Sequence, residues 1–144
     1  MTFLLDVNVL IALLDSRHVA HAAAHEWFDS TGRPSWATCP ITQSGFLRIV
    51  SGPGYGERRA SMDQAASVLA DLAAQPGHVF WPDDINPVGS DWIDPRALTS
   101  HGQVTDSYLL ALAASRKGRL ATFDRRLSTR AVRSGADAIH LIEP

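Results

Sequence analysis

The chain has 144 residues and a formal net charge of −2, with 45% hydrophobic and 19% charged residues. These values are those of an ordinary globular protein, so we expect one domain over residues 1–144 and exclude a disordered chain. No stretch approaches about 18 uninterrupted apolar residues, so no membrane-spanning helix is expected.

Two further features concern the compartment. Cys39 is the only cysteine and cannot form an internal disulfide bond, which favours a reducing environment. The first apolar run has no basic residue before it and is interrupted by Asp6, so no signal peptide is predicted. We therefore expect a cytoplasmic protein.

The first half of the chain alternates predicted strands and helices. Residues 3–5 are apolar and predict a buried strand, after which Asn8 is the predicted cap of a helix over residues 9–14. The next predicted elements are a helix over 19–28, a strand over 35–38, a helix ending at 50, a loop over 51–56 and a helix over 61–74.

The second half continues the alternation. A strand is predicted over 79–81 and a helix over 105–115 with Thr105 as its N-cap; two strands follow, over 120–123 and 139–142, with a helix carrying Leu127 and Val132 between them. Strands alternating with helices predict an α/β fold with three α/β/α layers and a central, mainly parallel sheet of four to five strands.

Three carboxylates lie at the ends of these predicted elements. Asp6 ends the first strand, Asp106 opens a helix and Asp124 follows the strand that begins at Leu120. Ligand sites of such sheets lie outside the carboxyl ends of the strands, so we expect the three acids to converge. Clustered carboxylates repel one another, and Mg²⁺ or Mn²⁺ would relieve the repulsion. Metal-dependent phosphodiester hydrolysis fits this group best.

The motifs around these acids resemble those of a known family. Leu4-Leu5-Asp6-Val7-Asn8, Thr105-Asp106-Ser107-Tyr108 and Thr122-Phe123-Asp124 resemble, in order, motifs of the PIN-domain ribonucleases, in particular the VapC-type toxins of bacterial toxin–antitoxin pairs. The stretch from Cys39 to Arg48 is similar to one subgroup of them. The resemblance implies Mg²⁺-dependent endonucleolytic cleavage of RNA, with Mn²⁺ able to substitute, a homodimer, and inhibition by a cognate VapB-type antitoxin.

The resemblance also implies roles for individual residues. Asp6 and Asp106 are the expected direct metal ligands, and Asp124 would bind the metal directly or through water. Asn8 and Thr122 would orient the ligands or the attacking water by hydrogen bonds. Many PIN domains carry a Glu where this chain has Gln43, whose amide oxygen can coordinate a metal but adds no charge, so we expect weaker metal binding.

Arginine dominates the basic residues, of which seven of thirteen lie between Arg116 and Arg133. Arg125 and Arg126 directly follow Asp124, and Arg48 lies on the helix that carries Gln43. A solvated surface is the simplest interpretation of such a run, but beside a metal pocket we expect Arg48, Arg125 and Arg126 to contact RNA phosphates.

Other interpretations remain open. A haloacid-dehalogenase-like aspartyl phosphatase also ends its first strand in Asp, but needs a second Asp where this chain has Asn8. A non-catalytic PIN-like RNA-binding module would account for Gln43, although the three acids argue against it. His18, His21 and His25 share one face of a predicted helix, which we interpret as a polar, partly exposed face rather than a metal site.

Overall fold

The architecture, taken from a computed structural model that describes all residues from Met1 to Pro144, is a parallel sheet between two layers of helices. The strands are β1 (Phe3–Leu5), β2 (Trp36–Thr38), β3 (His78–Phe80), β4 (Arg119–Thr122) and β5 (Ile139–Leu141). The helices are α1 (Val7–Leu14), α2 (His21–Trp27), α3 (Pro40–Val50), α4 (Met62–Ala73) and α5 (Gln103–Ser115). Sheet order is β3-β2-β1-β4-β5, and every neighbouring pair is parallel. The predicted fold class is therefore confirmed.

The two faces of the central strand β1 belong to different core layers. Phe3 and Leu5 point to one face and pack with residues of α1, α2 and α3, whereas Leu4 points to the other face and packs with α5. Each of these three side chains is at most 8% exposed, as expected for a strand buried on both faces of a parallel sheet.

Strand register brings the carboxyl ends of β1 and β4 together. Leu4 pairs with Leu120 and Leu5 with Ala121, and the backbone N–H of Asp6 donates to the carbonyl of Ala121 at 3.0 Å. Residues that follow β1 therefore lie beside residues that end β4.

Local chemistry sets the beginnings of several helices. Ser61 and Gln64 form a reciprocal capping box at the start of α4, and Pro40 occupies the first turn of α3, where its missing N–H costs nothing. The N-cap of α1 is Asp6, whose carboxylate accepts from the N–H of Val7. The prediction that Asn8 caps this helix was wrong, because the helix begins two residues earlier than expected.

Two other predicted elements differ from the structure. Helix α5 begins at Gln103 with Gly102 as its N-cap, so Thr105 lies within the first turn instead of capping it. No helix carries Leu127 and Val132 between β4 and β5, where the structure has only a short 3₁₀ turn over Gly135–Asp137. Both side chains are nevertheless buried, and Val132 forms an isolated antiparallel bridge with Ile93, so long-range contacts stabilise this connection in place of helical hydrogen bonds.

Histidines on α2 stabilise the end of α1. Backbone carbonyls only accept hydrogen bonds, so His21 Nδ1 donates to Ala12 at 2.7 Å and His25 Nε2 donates to Leu13 at 2.9 Å. These are carbonyls of the last helical turn, which have no partner within α1. These two hydrogen bonds hold α2 against the carboxyl end of α1.

Candidate metal centre

The candidate centre lies at the carboxyl ends of β1 and β4, where Asp6, Asp124 and the first turn of α5 meet. Asp6 follows β1 directly and is only 8% exposed. Asp124 lies two residues beyond the end of β4, and Asp106 lies in the first turn of α5. The structure thus places the three predicted acids at one edge, where the charge of Asp124 acts on Asp6 and the charges of Asp6 and Asp124 act on Asp106.

Asp6 is held by hydrogen bonds to both of its oxygens. Oδ1 accepts from the N–H of Val7 at 2.8 Å, and Oδ2 accepts from the Thr122 hydroxyl at 2.7 Å. The amide of Asn8 also donates toward Oδ2, at 3.4 Å. These contacts fix the carboxylate orientation, which is the support that a metal ligand requires.

Thr122 connects Asp6 to the chain that carries Asp124. Its hydroxyl, fully buried, donates to Asp6 and accepts from the N–H of Asp124 at 3.1 Å. Asn8 reinforces the connection, since its amide nitrogen donates to Thr122 at 3.1 Å and its amide oxygen accepts from the N–H of Phe123 at 3.2 Å. Asn8 and Thr122 therefore tie the loop after β4 to the loop after β1.

Burial and the charges of neighbouring carboxylates raise the pKa values of Asp6 and Asp106. Burial raises the pKa of Asp6, hydrogen bonds from Thr122 and Val7 lower it in part, and the charge of Asp124 raises it further. Burial together with the charges of Asp6 and Asp124 raises the pKa of Asp106 to about 6. A positive charge among the three would reverse this effect.

The three acids have the type of ligand atom that a hard divalent cation prefers, but they do not form a closed coordination site. Carboxylate oxygens are the ligands that Mg²⁺ and Mn²⁺ prefer. No three Asp, Glu, His or Cys side chains are arranged closely enough in the structure to chelate one ion. The residues present therefore fit such a cation in type and charge.

The side chain of Gln43 is hydrogen-bonded to strand β2 of the sheet. Its amide nitrogen donates to the Thr38 hydroxyl at 3.0 Å, and that hydroxyl lies 2.8 Å from Nε2 of His78. None of the hydrogen bonds of Gln43 reaches Asp6, Asp106 or Asp124. The structure therefore does not join Gln43 to the three acids by any direct bond.

The predicted RNA-contacting arginines are exposed but differ in their partners. Arg125 pairs with Glu143 at 2.7 Å on the surface. The backbone N–H of Arg126 donates to Asp124 at 2.9 Å, and the guanidinium of Arg126 has no acidic partner. The side chain of Arg48 forms neither a hydrogen bond nor an ion pair. Two free guanidinium groups therefore lie on elements that adjoin the acids.

Gly45 is a residue of this region that sequence reasoning missed. A Cβ built on Gly45 would lie 2.7 Å from the side chain of Val7, so only glycine lets α3 approach the start of α1 this closely. A glycine in the middle of a predicted helix is the signal that could have indicated the close contact.

Comparison with known proteins assigns the chain to a family. Residues 3–132 match the PIN domain. Ribonuclease VapC39 of Mycobacterium tuberculosis is 45% identical over 128 residues, which cover 89% of this chain and 92% of that protein. Ribonuclease VapC44 of the same organism is 44% identical over 141 residues, with 98% of each chain covered.

Solved structures give the same fold at low sequence identity. VapC20 of Mycobacterium tuberculosis, described as a sarcin-ricin loop cleaving toxin, has a TM-score of 0.61 at 13% identity and covers 91% of this chain and 96% of its own. VapBC2 of Rickettsia felis, solved with a DNA fragment from its promoter, has a TM-score of 0.58 at 12% identity, with 91% and 93% covered.

Proposed function

Because the chain belongs to the PIN-domain family, within its VapC ribonucleases, we propose that it hydrolyses RNA phosphodiester bonds at the edge where Asp6, Asp106 and Asp124 meet. The observation that carries the proposal is the network from Asp6 through Thr122 to Asp124, which positions two of the acids by buried hydrogen bonds. An aspartyl phosphatase of the haloacid dehalogenase type is set aside, because the family assignment covers most of the chain.

Ribonucleases of this family generally depend on a divalent metal ion, and we propose Mg²⁺ for this one, with Mn²⁺ able to replace it. When bound, such an ion polarises a phosphoryl oxygen and lowers the pKa of a coordinated water. Asp6 and Asp106 would hold it directly, and Asp124 directly or through water. The raised pKa values of Asp6 and Asp106 are consistent with this assignment, because burial, and to a smaller extent the neighbouring carboxylates, disfavour their charged forms, and a bound cation would favour them.

The other site residues would serve the ligands and the RNA. Thr122 and Asn8 keep the Asp6 carboxylate in one orientation, which limits the cost of reorganisation during the reaction. Arg48 and Arg126 would contact RNA phosphates, and Arg125 would join them because an exposed pair such as Arg125–Glu143 contributes little and yields easily.

We further propose that the protein is the toxin of a toxin–antitoxin pair, neutralised by a VapB-type antitoxin in the cytoplasm and active as a homodimer. The VapC relatives and the similarity to a solved VapBC complex support a VapB-type partner. None of the five helices has the length and apolar character that a bilayer crossing requires.

The test is RNA cleavage by the purified protein. We expect cleavage with Mg²⁺ or Mn²⁺, none with EDTA, and none from Asp6→Asn, which retains a side chain suited to capping α1. A generic phosphomonoester should remain intact under the same conditions. Cleavage that continues in EDTA, or RNA binding without any cleavage in Mn²⁺, would overturn the proposal.

A further inference from the structure

A groove of about 310 Å³ opens between α3 and the first turn of α5. It is lined by Pro40, Ile41, Ser44, Gly45, Arg48 and Thr105. Its volume is at the lower end of the roughly 300–1,000 Å³ of small-molecule sites. A space of this size suits one nucleotide.

The groove adjoins the metal centre on two sides. Gly45 packs against Val7, the residue after Asp6, and Thr105 directly precedes Asp106. When the scissile phosphate of an RNA strand lies at the acids, a neighbouring nucleotide of that strand can therefore reach this groove.

Arg48 provides an uncommitted positive charge in the groove. Arg48 is exposed and, like six other arginines, forms no ion pair, but it is the one arginine that lines this groove. An unpaired guanidinium has a fork of donors that matches a phosphate, so Arg48 is complementary in charge and geometry to the RNA backbone.

Two hydroxyl groups line the same groove. Ser44 and Thr105 are exposed, and neither side chain forms a hydrogen bond within the protein. Free hydroxyls can donate to and accept from the edge of a base. Sequence-specific RNA recognition uses this kind of contact with unstacked bases of single-stranded loops.

We propose that this groove receives one unstacked nucleotide next to the scissile phosphate, with Ser44 and Thr105 contacting its base edge and Arg48 its phosphate. The inference rests on the proposed ribonuclease activity and adds the determinant of sequence preference.

The proposal predicts different effects for the two kinds of residue. Ser44→Ala and Thr105→Val should change nucleotide preference at a single position beside the cut, by about fivefold to tenfold for a lost hydrogen bond. Arg48→Glu should lower kcat/KM on all RNAs alike. Arg48→Gln should reduce the slope of log affinity against log salt concentration by about one, the effect of losing one phosphate contact.

The measurement is sequencing of cleavage ends from an RNA library with randomised loops, cut by the purified wild-type protein and each variant in Mn²⁺. Ser67→Ala on the exposed side of α4 and Arg119→Glu at the amino end of β4 are matched controls, and both should cut like the wild type. Melting temperatures of all variants, measured in parallel, identify any loss of folding.

The outcomes separate the two proposals. If the wild type cleaves with metal but the Ser44 and Thr105 variants keep the wild-type preference at every position, the groove is not the specificity site and only this inference falls. If folded wild-type protein does not cleave any RNA in the library, the proposed function falls, and the inference falls with it.

Discussion

At the scale of the single residue, Asp6 has a structural role and a proposed role as a metal ligand. One carboxylate oxygen caps α1 and the other accepts from Thr122, so the side chain both begins a helix and is held in one orientation. Asparagine retains the capping ability of aspartate but removes its charge. Asp6→Asn is therefore the substitution that separates the two roles.

Asp106 should destabilise the metal-free protein at neutral pH. Its folded pKa of about 6 lies above its ordinary value of 3.8, so its ionised form is disfavoured in the folded state, and stability increases as pH falls from about 6 towards 4. We predict that Asp106→Asn raises the free energy of unfolding at pH 7 in EDTA by about 1 kcal/mol, a value reduced for the solvent screening of a half-buried group.

Thermal melts of both proteins in EDTA and in Mn²⁺ check this prediction. Mn²⁺ should raise the melting temperature of the wild type more than that of Asp106→Asn, because a ligand that binds only the folded state stabilises it in proportion to its affinity. A variant that is less stable than the wild type in EDTA would contradict the electrostatic account.

The sequence predicts that Gln43 lies at the metal centre, but in the structure its side chain forms no hydrogen bond with the three acids. Its amide is bound to Thr38, yet a charge at this position would still act on acids at the same edge of the sheet. We predict that Gln43→Glu raises Mn²⁺ affinity about tenfold, the scale of other supporting interactions at metal sites.

Calorimetric titration with Mn²⁺ measures that affinity. Gln75→Glu is the matched control, because it adds the same charge at the opposite edge, before β3, where the side chain of Gln75 accepts from Arg33. Equal affinities for wild type, Gln43→Glu and the control would place Gln43 outside the metal centre.

At the scale of the element, α1 depends on histidines from its neighbour. His21 and His25 donate to carbonyls that α1 leaves unpaired at its end. We predict that His21→Ala and His25→Ala each lower the free energy of unfolding by about 1 kcal/mol, the value of a lost hydrogen bond. Urea unfolding measures the free energy of unfolding, with His101→Ala at an exposed position as the control. If Zn²⁺ stabilises the wild type but neither variant, the histidines form a metal site instead.

His140 on β5 couples the sheet to α2 in a pH-dependent way. The indole N–H of Trp27 donates to Nε2 of His140 at 2.8 Å, so this nitrogen carries no proton in the folded state. Burial, with a smaller effect of the Arg119 charge, lowers the pKa of His140 below 6.5. The stability that the neutral ring contributes is complete above pH 6.5 and is lost as pH falls towards the folded pKa.

We predict that His140→Gln, whose amide oxygen can still accept from Trp27, loses less stability than the wild type between pH 7 and pH 5. The difference between the two melting temperatures as a function of pH isolates His140, because the opposite contribution of Asp106 is common to both proteins. Parallel pH profiles would show that His140 does not titrate in this range.

The elements that were predicted well are those with local signals. The apolar run of β1, the capping box of α4 and the proline at the start of α3 specify their elements without help from the rest of the chain. The segment between β4 and β5 has no such signal: Leu127 and Val132 lie five residues apart, which does not match one helix face, and Val132 pairs with the distant Ile93. Sequence alone could not distinguish these cases, because the deciding contacts are long-range.

At the scale of the whole molecule, strand order explains why the site could be predicted in outline. Parallel strands place their carboxyl ends at one edge, so acids after β1 and β4 converge once these strands are neighbours. Asp6 and Thr122 are 116 residues apart, and their contact depends on the register between β1 and β4, which the spacing of residues in the sequence does not reveal. The direction of the Gln43 amide depends on a hydrogen bond to β2 and was equally out of reach.

The central claim is that the acids at this edge cut RNA. Sequencing of RNA 5′ ends after expression of the wild-type protein and of Asp6→Asn at equal levels tests it most directly. We predict new 5′ ends at a small set of unpaired sites with the wild type and none of them with Asp6→Asn. The same ends in both samples, with both proteins folded, would contradict the claim.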